Sequence, residues 1–273
     1  MRDALRLGVG TLTAVRVPPP SSIESPVPGQ AMALAPLIGL IPGVIAAVAA
    51  WVALVLGLSP GVIAVLVVGT FALATRGLHL DGLGDTADGL AASYVPSRAL
   101  EVMRRGDTGP TGLAAVVLVL LLQCAALAQV LSGAAVQAQI QGDFGLAAKI
   151  RTVAVVAAVA VAARVAIPVA CVRGLPAARP EGLGATVAGS ISPLFFGGIW
   201  IGTALACSLL GLVSGFDWWA GALAVSVVVV TAALLVDRAV RRFGGITGDV
   251  IGAAVEIGTA TALLTMAAAV SYR

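Results

Sequence analysis

One stretch of the sequence reads Arg76-Gly-Leu-His-Leu-Asp-Gly-Leu-Gly-Asp-Thr-Ala-Asp-Gly-Leu90, and it holds three carboxylates and the single histidine of the chain. In a helix, Asp81, Asp85 and Asp88 are spaced i, i+4 and i+7, so they project from one face. Three carboxylates on one face repel each other unless a cation lies among them, and in an apolar protein a divalent metal is the simplest such cation. The alternative is a solvated acidic loop, although glycines and apolar residues separate these acids.

The composition is that of an integral membrane protein. Hydrophobic residues make up 59% of the chain and charged residues 11%, whereas soluble domains carry about 25% charged residues. The apolar runs are long and rich in Ala, Leu, Val and Gly, without the alternation of a β-barrel, and therefore predict helices. We expect an all-α polytopic helix bundle that forms a single membrane domain over residues 1–273. The net charge of +3 is only a weak argument for nucleic acid, and we expect none as a partner.

The apolar runs predict about seven membrane spans, with six to eight as the range. They cover residues 31–58, 61–76, 112–132, 152–172, 194–214, 218–236 and 250–271. Residues 1–30 are expected to form an interfacial segment. With seven spans, 12 of the 16 basic residues and 11 of the 13 acids fall on one side. The positive-inside rule makes that side, and the N-terminus with it, cytoplasmic. The other side receives Lys149, Arg151 and Arg273 with Asp143 and Asp217.

Two polar segments on the predicted cytoplasmic face, residues 77–111 and 237–256, are the candidate active-site segments. The first contains Arg104-Arg-Gly-Asp-Thr-Gly-Pro-Thr-Gly112, a glycine-rich turn directly before a helix. Backbone N–H groups at such a helix start, with two arginines beside them, suit a phosphate. Gly-rich turns also open many membrane helices, so an ordinary helix start is the alternative.

The second segment places Asp249 and Glu256 seven residues apart, on one face of a helix. Glu256 falls at or inside the membrane boundary, where an ionisable group is costly unless it is paired. Arg164 lies inside a predicted span and also needs a partner, which one of these acids could supply. The arginines Arg238, Arg241 and Arg242 either contribute to the site or only set the topology.

Carboxylates, arginines and glycine turns on one face suit phosphoryl chemistry. Mg²⁺ prefers one or two carboxylates together with substrate phosphate oxygens. Arginine neutralises the remaining phosphate oxygens with bidentate hydrogen bonds. The residues alone thus predict a phosphoryl-transfer enzyme.

The segment His79-Leu-Asp-Gly-Leu-Gly-Asp-Thr-Ala-Asp-Gly89 closely resembles the signature of the cobalamin synthase family, the adenosylcobinamide-GDP ribazoletransferases. Gly244-Gly-Ile-Thr-Gly-Asp-Val-Ile-Gly-Ala-Ala-Val-Glu256 resembles the C-terminal motif of that family. Three further segments are similar to it, namely Leu12-Thr-Ala-Val-Arg-Val-Pro18, Met103-Arg-Arg-Gly-Asp-Thr-Gly-Pro-Thr-Gly112 and Arg179-Pro-Glu-Gly-Leu-Gly184. The second of these departs from the family pattern, in which an Ile-Gly pair precedes the Thr and an aromatic residue replaces Pro110.

The resemblance implies a multi-pass enzyme of the inner (cytoplasmic) membrane that catalyses the last step of cobalamin nucleotide-loop assembly. In that reaction, a free ribose hydroxyl of α-ribazole, or of α-ribazole 5′-phosphate, attacks adenosylcobinamide-GDP at the phosphate attached to cobinamide. GMP leaves, and adenosylcobalamin or its 5′-phosphate forms, with Mg²⁺ as the cofactor. Membrane lipid is the expected surrounding, the active site is expected on the cytoplasmic face, and a homo-oligomer is left open.

The residues and the resemblance together suggest a division of roles. The candidate Mg²⁺ ligands are Asp81, Asp85, Asp88 and Asp249. The candidate catalytic residues are His79, Asp85, Asp249 and Glu256, of which Asp249 and Glu256 either complete the metal site or accept the hydroxyl proton. The candidate residues for the GDP phosphates are Arg104, Arg105, Gly106, Thr108 and Gly109.

Two other classes compete with this interpretation. A CDP-alcohol phosphotransferase also binds Mg²⁺ through spaced aspartates, but its signature needs Asp-Gly-x-x-Ala-Arg and a later Gly-x-x-x-Asp-x-x-x-Asp, which the segment after Asp81 lacks. An ion-coupled transporter would carry acids near the bilayer midplane, whereas nearly all of these acids are predicted at one membrane edge.

Overall fold

The structure is a computed structural model that describes residues 1–140 and 145–271. The described part is helical, with two isolated β-bridges and no strand. Its helices are α1 (Arg2–Leu12), α2 (Val27–Ala33), α3 (Ala35–Ile38), α4 (Leu40–Val55), α5 (Pro60–Ala74), α6 (Leu78–Ala92), α7 (Pro96–Val102), α8 (Pro110–Ile140), α9 (Leu146–Arg164), α10 (Ala166–Ala170), α11 (Leu183–Val187), α12 (Pro193–Val213), α13 (Trp218–Phe243) and α14 (Gly248–Ser271). The predicted all-α class is confirmed.

Within the described residues, six segments are long and apolar enough to cross a membrane. They are Ala35–Val55, Pro110–Gly133, Leu146–Ala170, Pro193–Val213, Trp218–Phe243 and Gly248–Val270. A seventh candidate consists of α5 and α6 taken together, and these two helices are bent by 88°. The prediction of about seven spans is confirmed. Asp143 and Arg273, which the topology assigns to the side opposite the acidic stretch, lie outside the described residues.

Helix α6 contains the acidic stretch and is not a span by itself. Its 15 residues carry three carboxylates and a histidine, whereas the 15 residues of α5 carry no charged side chain, and charged side chains are costly in the hydrocarbon layer. Gly77, in the left-handed conformation with φ of 70°, provides the sharp turn between α5 and α6, because glycine adopts positive φ without steric cost. We therefore place α5 within the membrane and treat α6 as lying at its edge, outside the spans.

The interior of the bundle is built on α9 and α14. The spans that contain these helices are 89% and 78% buried, whereas the span formed by α12 is only 17% buried. Helix α14 packs against α6, α8, α9 and α13. Because α6 also packs against α8 and α7, the acidic stretch is held between the start of α14 and the start of α8.

Candidate active site

Glycines allow the acidic face of α6 to lie directly on the start of α14. A Cβ at Gly82 would be 2.6 Å from the carbonyl oxygen of Asp249, and a Cβ at Gly252 would be 3.2 Å from the Cα of His79. Small residues at helix crossings allow such close backbone approach in membrane bundles. The contact brings Asp249 into the electrostatic environment of Asp85. The two acidic motifs, more than 150 residues apart in sequence, therefore meet in one place.

Asp85 is half-buried among other carboxylates. Burial, together with the neighbouring carboxylates of Asp81, Asp249 and Asp88, raises the pKa of Asp85 to about 6, and Arg179 opposes this shift. A carboxylate in such surroundings needs a further cation to hold its ionised form at lower pH. This donor set fits Mg²⁺, which takes one or two protein carboxylates and completes its shell with water and phosphate oxygens. Among the described residues, no three His, Cys, Asp or Glu side chains are grouped closely enough to hold a metal by themselves.

Arg179 reaches this site from the loop between α10 and α11. The loop is fixed to the segment before α14, because Ile246 N donates to Pro176 O and Ala178 N donates to Ile246 O, both at 2.9 Å. The Arg179 Nη2 donates to Leu100 O at 2.9 Å, while its buried Nε has no partner in the described part of the chain. Its charge acts on both Asp85 and Asp249. Arg179 is absent from the predicted site residues, although the Arg-Pro-Glu-Gly-Leu-Gly motif was a signal for it.

Two cavities open beside the start of α6, and Leu78 borders both. The first has a volume of about 280 Å³ and is lined by Leu12, Leu78, His79, Arg179, Glu181, Gly182, Leu183, Gly184, Ile246, Thr247, Gly248, Asp249, Ile251 and Gly252. The second has a volume of about 490 Å³ and is lined by Arg76, Gly77, Leu78, Leu80, Asp81, Gly84, Thr108, Leu113 and Val116. The first cavity thus contains Asp249 and the second Asp81. These two carboxylates thus line different cavities, and Leu78 is common to both linings.

Asp88 has a different environment from Asp81 and Asp85. Its Oδ2 accepts from Gly109 N and its Oδ1 accepts from Gly112 N, both at 2.7 Å. These amides belong to the first turn of α8, so both oxygens of Asp88 satisfy donors that a helix start leaves unpaired. Gly112 must be glycine here, because a Cβ would lie 2.3 Å from Asp88 Oδ2. In this structure Asp88 holds α8 against α6, and its predicted role as a metal ligand stays a prediction.

The same contacts bear on the predicted phosphate turn. Because the amides of Gly109 and Gly112 already donate to Asp88, a phosphate would have to bind other donors of the turn. Arg105 forms a 3.0 Å ion pair with Glu101, and Arg104, Gly106 and Thr108 are exposed. Thr108 borders the 490 Å³ cavity beside Asp81, whereas Arg105 and Gly109 border a separate cavity of about 310 Å³. The turn therefore faces two different cavities, and its phosphate role stays a prediction.

Glu256 lies deeper in the bundle than Asp249. Two helical turns separate them on α14, roughly 10 Å along the axis. Gln123 Nε2 donates to Glu256 Oε2 at 2.8 Å and to Glu256 O at 3.1 Å. Arg164, the predicted partner of an acid, interacts electrostatically with Glu256 and lies 3.2 Å, through Nη1, from His79 Nδ1. Glu256 therefore belongs to an interior polar group rather than to the Asp81, Asp85 and Asp249 site, and Gln123 is a member that the sequence did not suggest.

The arginines at the end of α13 have separate environments. Arg242 Nη2 donates to Leu90 O and Ser93 O, both at 2.8 Å, and its guanidinium lies 4.0 Å from the centre of the Tyr94 ring. Arg242 therefore caps the C-terminal end of α6, which favours cations. Arg241 pairs with Asp237, and both are exposed. Of this triplet, Arg242 holds α6 at the end opposite Asp81.

Comparison with known proteins gives a consistent result along the chain. A family model for cobalamin-5-phosphate synthase matches residues 4–267. A protein of Nocardioides sp. described as adenosylcobinamide-GDP ribazoletransferase is 40% identical over 98% of this chain and 100% of its own length. A relative of the same description from Frankia casuarinae is 36% identical over 94% of this chain and 91% of its own length. Another from Clostridium acetobutylicum is 30% identical over 98% of this chain and 97% of its own length. No solved structure matches the chain.

Proposed function

The chain belongs to the cobalamin-5-phosphate synthase family and is a transferase of cobalamin synthesis, and from this premise we propose how its site works. The reaction joins adenosylcobinamide-GDP to α-ribazole, or to α-ribazole 5′-phosphate, with release of GMP. The oxygen of a free ribose hydroxyl of the acceptor forms a bond to the phosphorus attached to cobinamide. The bond from that phosphorus to the GMP oxygen breaks, and the acceptor proton passes to a base. The site is proposed to face the cytoplasm, where the positive-inside rule directs the arginine-rich loops.

One observation carries the assignment of the site. Gly82 lets α6 touch the backbone of Asp249, and this contact gathers the carboxylates of Asp81, Asp85 and Asp249 with the guanidinium of Arg179. A diphosphate and its metal need such a mixture of carboxylates and a positive charge. The family membership supplies the identity of the diphosphate.

The roles of the residues follow from their positions. Asp81, Asp85 and Asp249 would hold Mg²⁺, which neutralises charge on the diphosphate and polarises phosphorus when it is bound. Arg179, with an unpartnered Nε, would bind a phosphate oxygen from the side of the 280 Å³ cavity. A guanidinium that stabilises charge developing on transferred phosphate is a recurrent device in phosphoryl transfer.

The two cavities suit a reaction of two substrates. An in-line displacement needs the attacking and leaving oxygens on opposite sides of phosphorus. The 280 Å³ and 490 Å³ cavities share Leu78 as a lining residue, with Asp249 in the wall of one and Asp81 in the wall of the other. We propose that the acceptor and the nucleotide part of the donor enter from these two sides. The phosphate under attack then lies between Asp81 and Asp249.

The proposal is tested with purified protein in lipid nanodiscs, supplied with adenosylcobinamide-GDP, α-ribazole and Mg²⁺. GMP release and formation of the joined product are measured for the wild type and for Arg179→Gln. We expect equal amounts of GMP and joined product from the wild type. Loss of one phosphate contact predicts a fall in kcat/KM of roughly 100-fold for the variant. Wild-type turnover in Arg179→Gln would reject its proposed role, and GMP release without α-ribazole would reject direct transfer.

A further inference from the structure

Two charged side chains lie inside the membrane bundle without a direct ion pair between them. Arg164 lies near the end of α9, and Glu256 lies about 12 Å along α14 from its first residue. Both side chains are buried. Their charges act on each other, but the contacts described for them do not include a direct Arg164–Glu256 salt bridge. A buried charge without its opposite at close range is costly, and Gln123 and His79 each contact only one of the two side chains, so a polar group between Arg164 and Glu256 would lower this cost.

A small cavity lies where that missing group would fit. It has a volume of about 20 Å³ and is lined by Arg164, Glu256, His79, Gln123 and Thr259 together with apolar residues. A buried cavity needs about 10–15 Å³ to hold one water, and the water needs two to four polar partners. The cavity meets both conditions, because a guanidinium and a carboxylate share its wall. It is too small for a substrate.

Arg164 also determines the form of His79. The guanidinium only donates hydrogen bonds, so the 3.2 Å contact between Arg164 Nη1 and His79 Nδ1 requires Nδ1 to accept. The proton of the neutral ring is then on Nε2, which is buried and has no partner in the described part of the chain. His79 borders the 280 Å³ cavity beside Asp249 as well as the small interior cavity. It thus connects the buried pair to the wall of the active site.

We infer that the interior cavity holds one ordered water that joins Arg164 to Glu256, and that this water-bridged pair fixes His79 as a hydrogen-bond donor at Nε2. Arg164 and Glu256 are then positioning residues that act through His79 on the start of α6. The role of His79 changes accordingly. A ring nitrogen that already carries the proton cannot take one from the acceptor hydroxyl, so His79, a candidate catalytic residue, does not act as the base through Nε2.

The chain offers a direct spectroscopic test, because it has a single histidine. Protein without a histidine tag, labelled with ¹⁵N-histidine and placed in nanodiscs, gives one imidazole signal pair. The wild type is expected to show a protonated Nε2 and an unprotonated Nδ1. Arg164→Met removes the hydrogen-bond donor to Nδ1, so a ring form protonated at Nδ1 should appear. Arg238 is an exposed arginine, so the control variant Arg238→Gln should keep the wild-type pair of imidazole signals. Protonated Nδ1 in the wild type, or no change in Arg164→Met, would overturn the inference.

A thermal-unfolding cycle tests the coupling and remains informative if turnover is not observed. Arg164→Met and Glu256→Gln are measured singly and together. Breaking one side of a buried pair leaves the other charge uncompensated, so each single variant should lose roughly 5 °C or more in Tm. The double variant should lose clearly less than the sum, whereas additive losses contradict the pairing.

The water itself is tested with a high-resolution map of the wild type. A solvent peak within about 3.2 Å of both side chains is expected. A dry cavity with a direct salt bridge contradicts the inference. Because none of these three measurements uses turnover, they remain decisive even if the proposed reaction is wrong.

Discussion

Replacing Asp88 by asparagine separates its structural contact from the metal role that the sequence suggests. Both carboxylate oxygens accept from backbone amides of the α8 start at 2.7 Å, and the side chain is buried. Asparagine keeps one acceptor oxygen and presents an NH₂ group to the other amide, which leaves a buried N–H without a partner. Such an unpaired donor costs about 1–3 kcal/mol, and loss of a helix cap typically costs about 1 kcal/mol. We expect Asp88→Asn to reduce the free energy of unfolding by about 2 kcal/mol.

The assay for Asp88 combines stability with metal dependence. Thermal unfolding in nanodiscs should show a lower Tm for Asp88→Asn than for the wild type. The Mg²⁺ concentration that gives half-maximal activity should stay within about twofold of the wild-type value, as expected of a residue that is not a metal ligand. Asp107→Asn is the matched control, because Asp107 is an exposed acid of the same turn, and its Tm should be that of the wild type. A wild-type Tm for Asp88→Asn together with a much higher Mg²⁺ requirement would refute the capping role.

Three further predictions concern the contact of α6 with α14 and its charges. Gly82→Ala places a Cβ at 2.6 Å from Asp249 O, so it should push α6 and α14 apart and lower kcat by about tenfold or more, as misplacement of reacting groups does. Gly69→Ala is the control, because a Cβ there meets nothing within 4 Å, and it should leave kcat unchanged. Equal kcat values for the two variants would contradict the close contact. Arg179→Lys keeps the positive charge but loses the planar guanidinium with its paired N–H donors, so it should retain only part of the activity that Arg179→Gln loses. Wild-type activity in Arg179→Lys would show that the charge alone suffices. The pKa of Asp85 is raised to about 6 without metal, so protons compete with Mg²⁺ for this carboxylate below that pH. The Mg²⁺ concentration that gives half-maximal activity should therefore rise roughly tenfold from pH 7 to pH 5. A pH-independent Mg²⁺ requirement would exclude Asp85 as a ligand.

The helical acidic stretch was predictable from the sequence because its signal is local. The i, i+4, i+7 spacing and the intervening glycines predicted α6 and the shared face of its acids, and the helix is confirmed over Leu78–Ala92. The spacing could not show that the third acid meets another helix. Asp88 lies about 10 Å along α6 from Asp81, where the start of α8 offers two free amides. Which acids share one site thus depends on what packs beside each turn.

The interior polar group was only partly predictable for the same reason. A charged residue inside a span predicts a partner, and Arg164 was expected to have one. The contact with His79 joins residues 85 positions apart, and that between Gln123 and Glu256 joins residues 133 apart. No periodicity relates such positions, because they depend on how α6, α8, α9 and α14 pack. Arg179 could be seen as part of a motif, but its place beside Asp249 depends on the backbone pairing of Ala178 with Ile246.

The central claim is that the carboxylates of α6 and α14 jointly hold the divalent cation, and Mn²⁺ binding followed by electron paramagnetic resonance tests it most directly. Mn²⁺ has the same preference for oxygen ligands as Mg²⁺ and can be titrated into nanodiscs in the presence of GDP, which supplies phosphate oxygens. We expect Asp85→Asn and Asp249→Asn each to weaken Mn²⁺ binding by at least about tenfold. Asp88→Asn and Glu256→Gln should leave the Mn²⁺ affinity close to that of the wild type. Wild-type Mn²⁺ affinity in Asp249→Asn, or a loss confined to Asp88→Asn, would contradict the central claim.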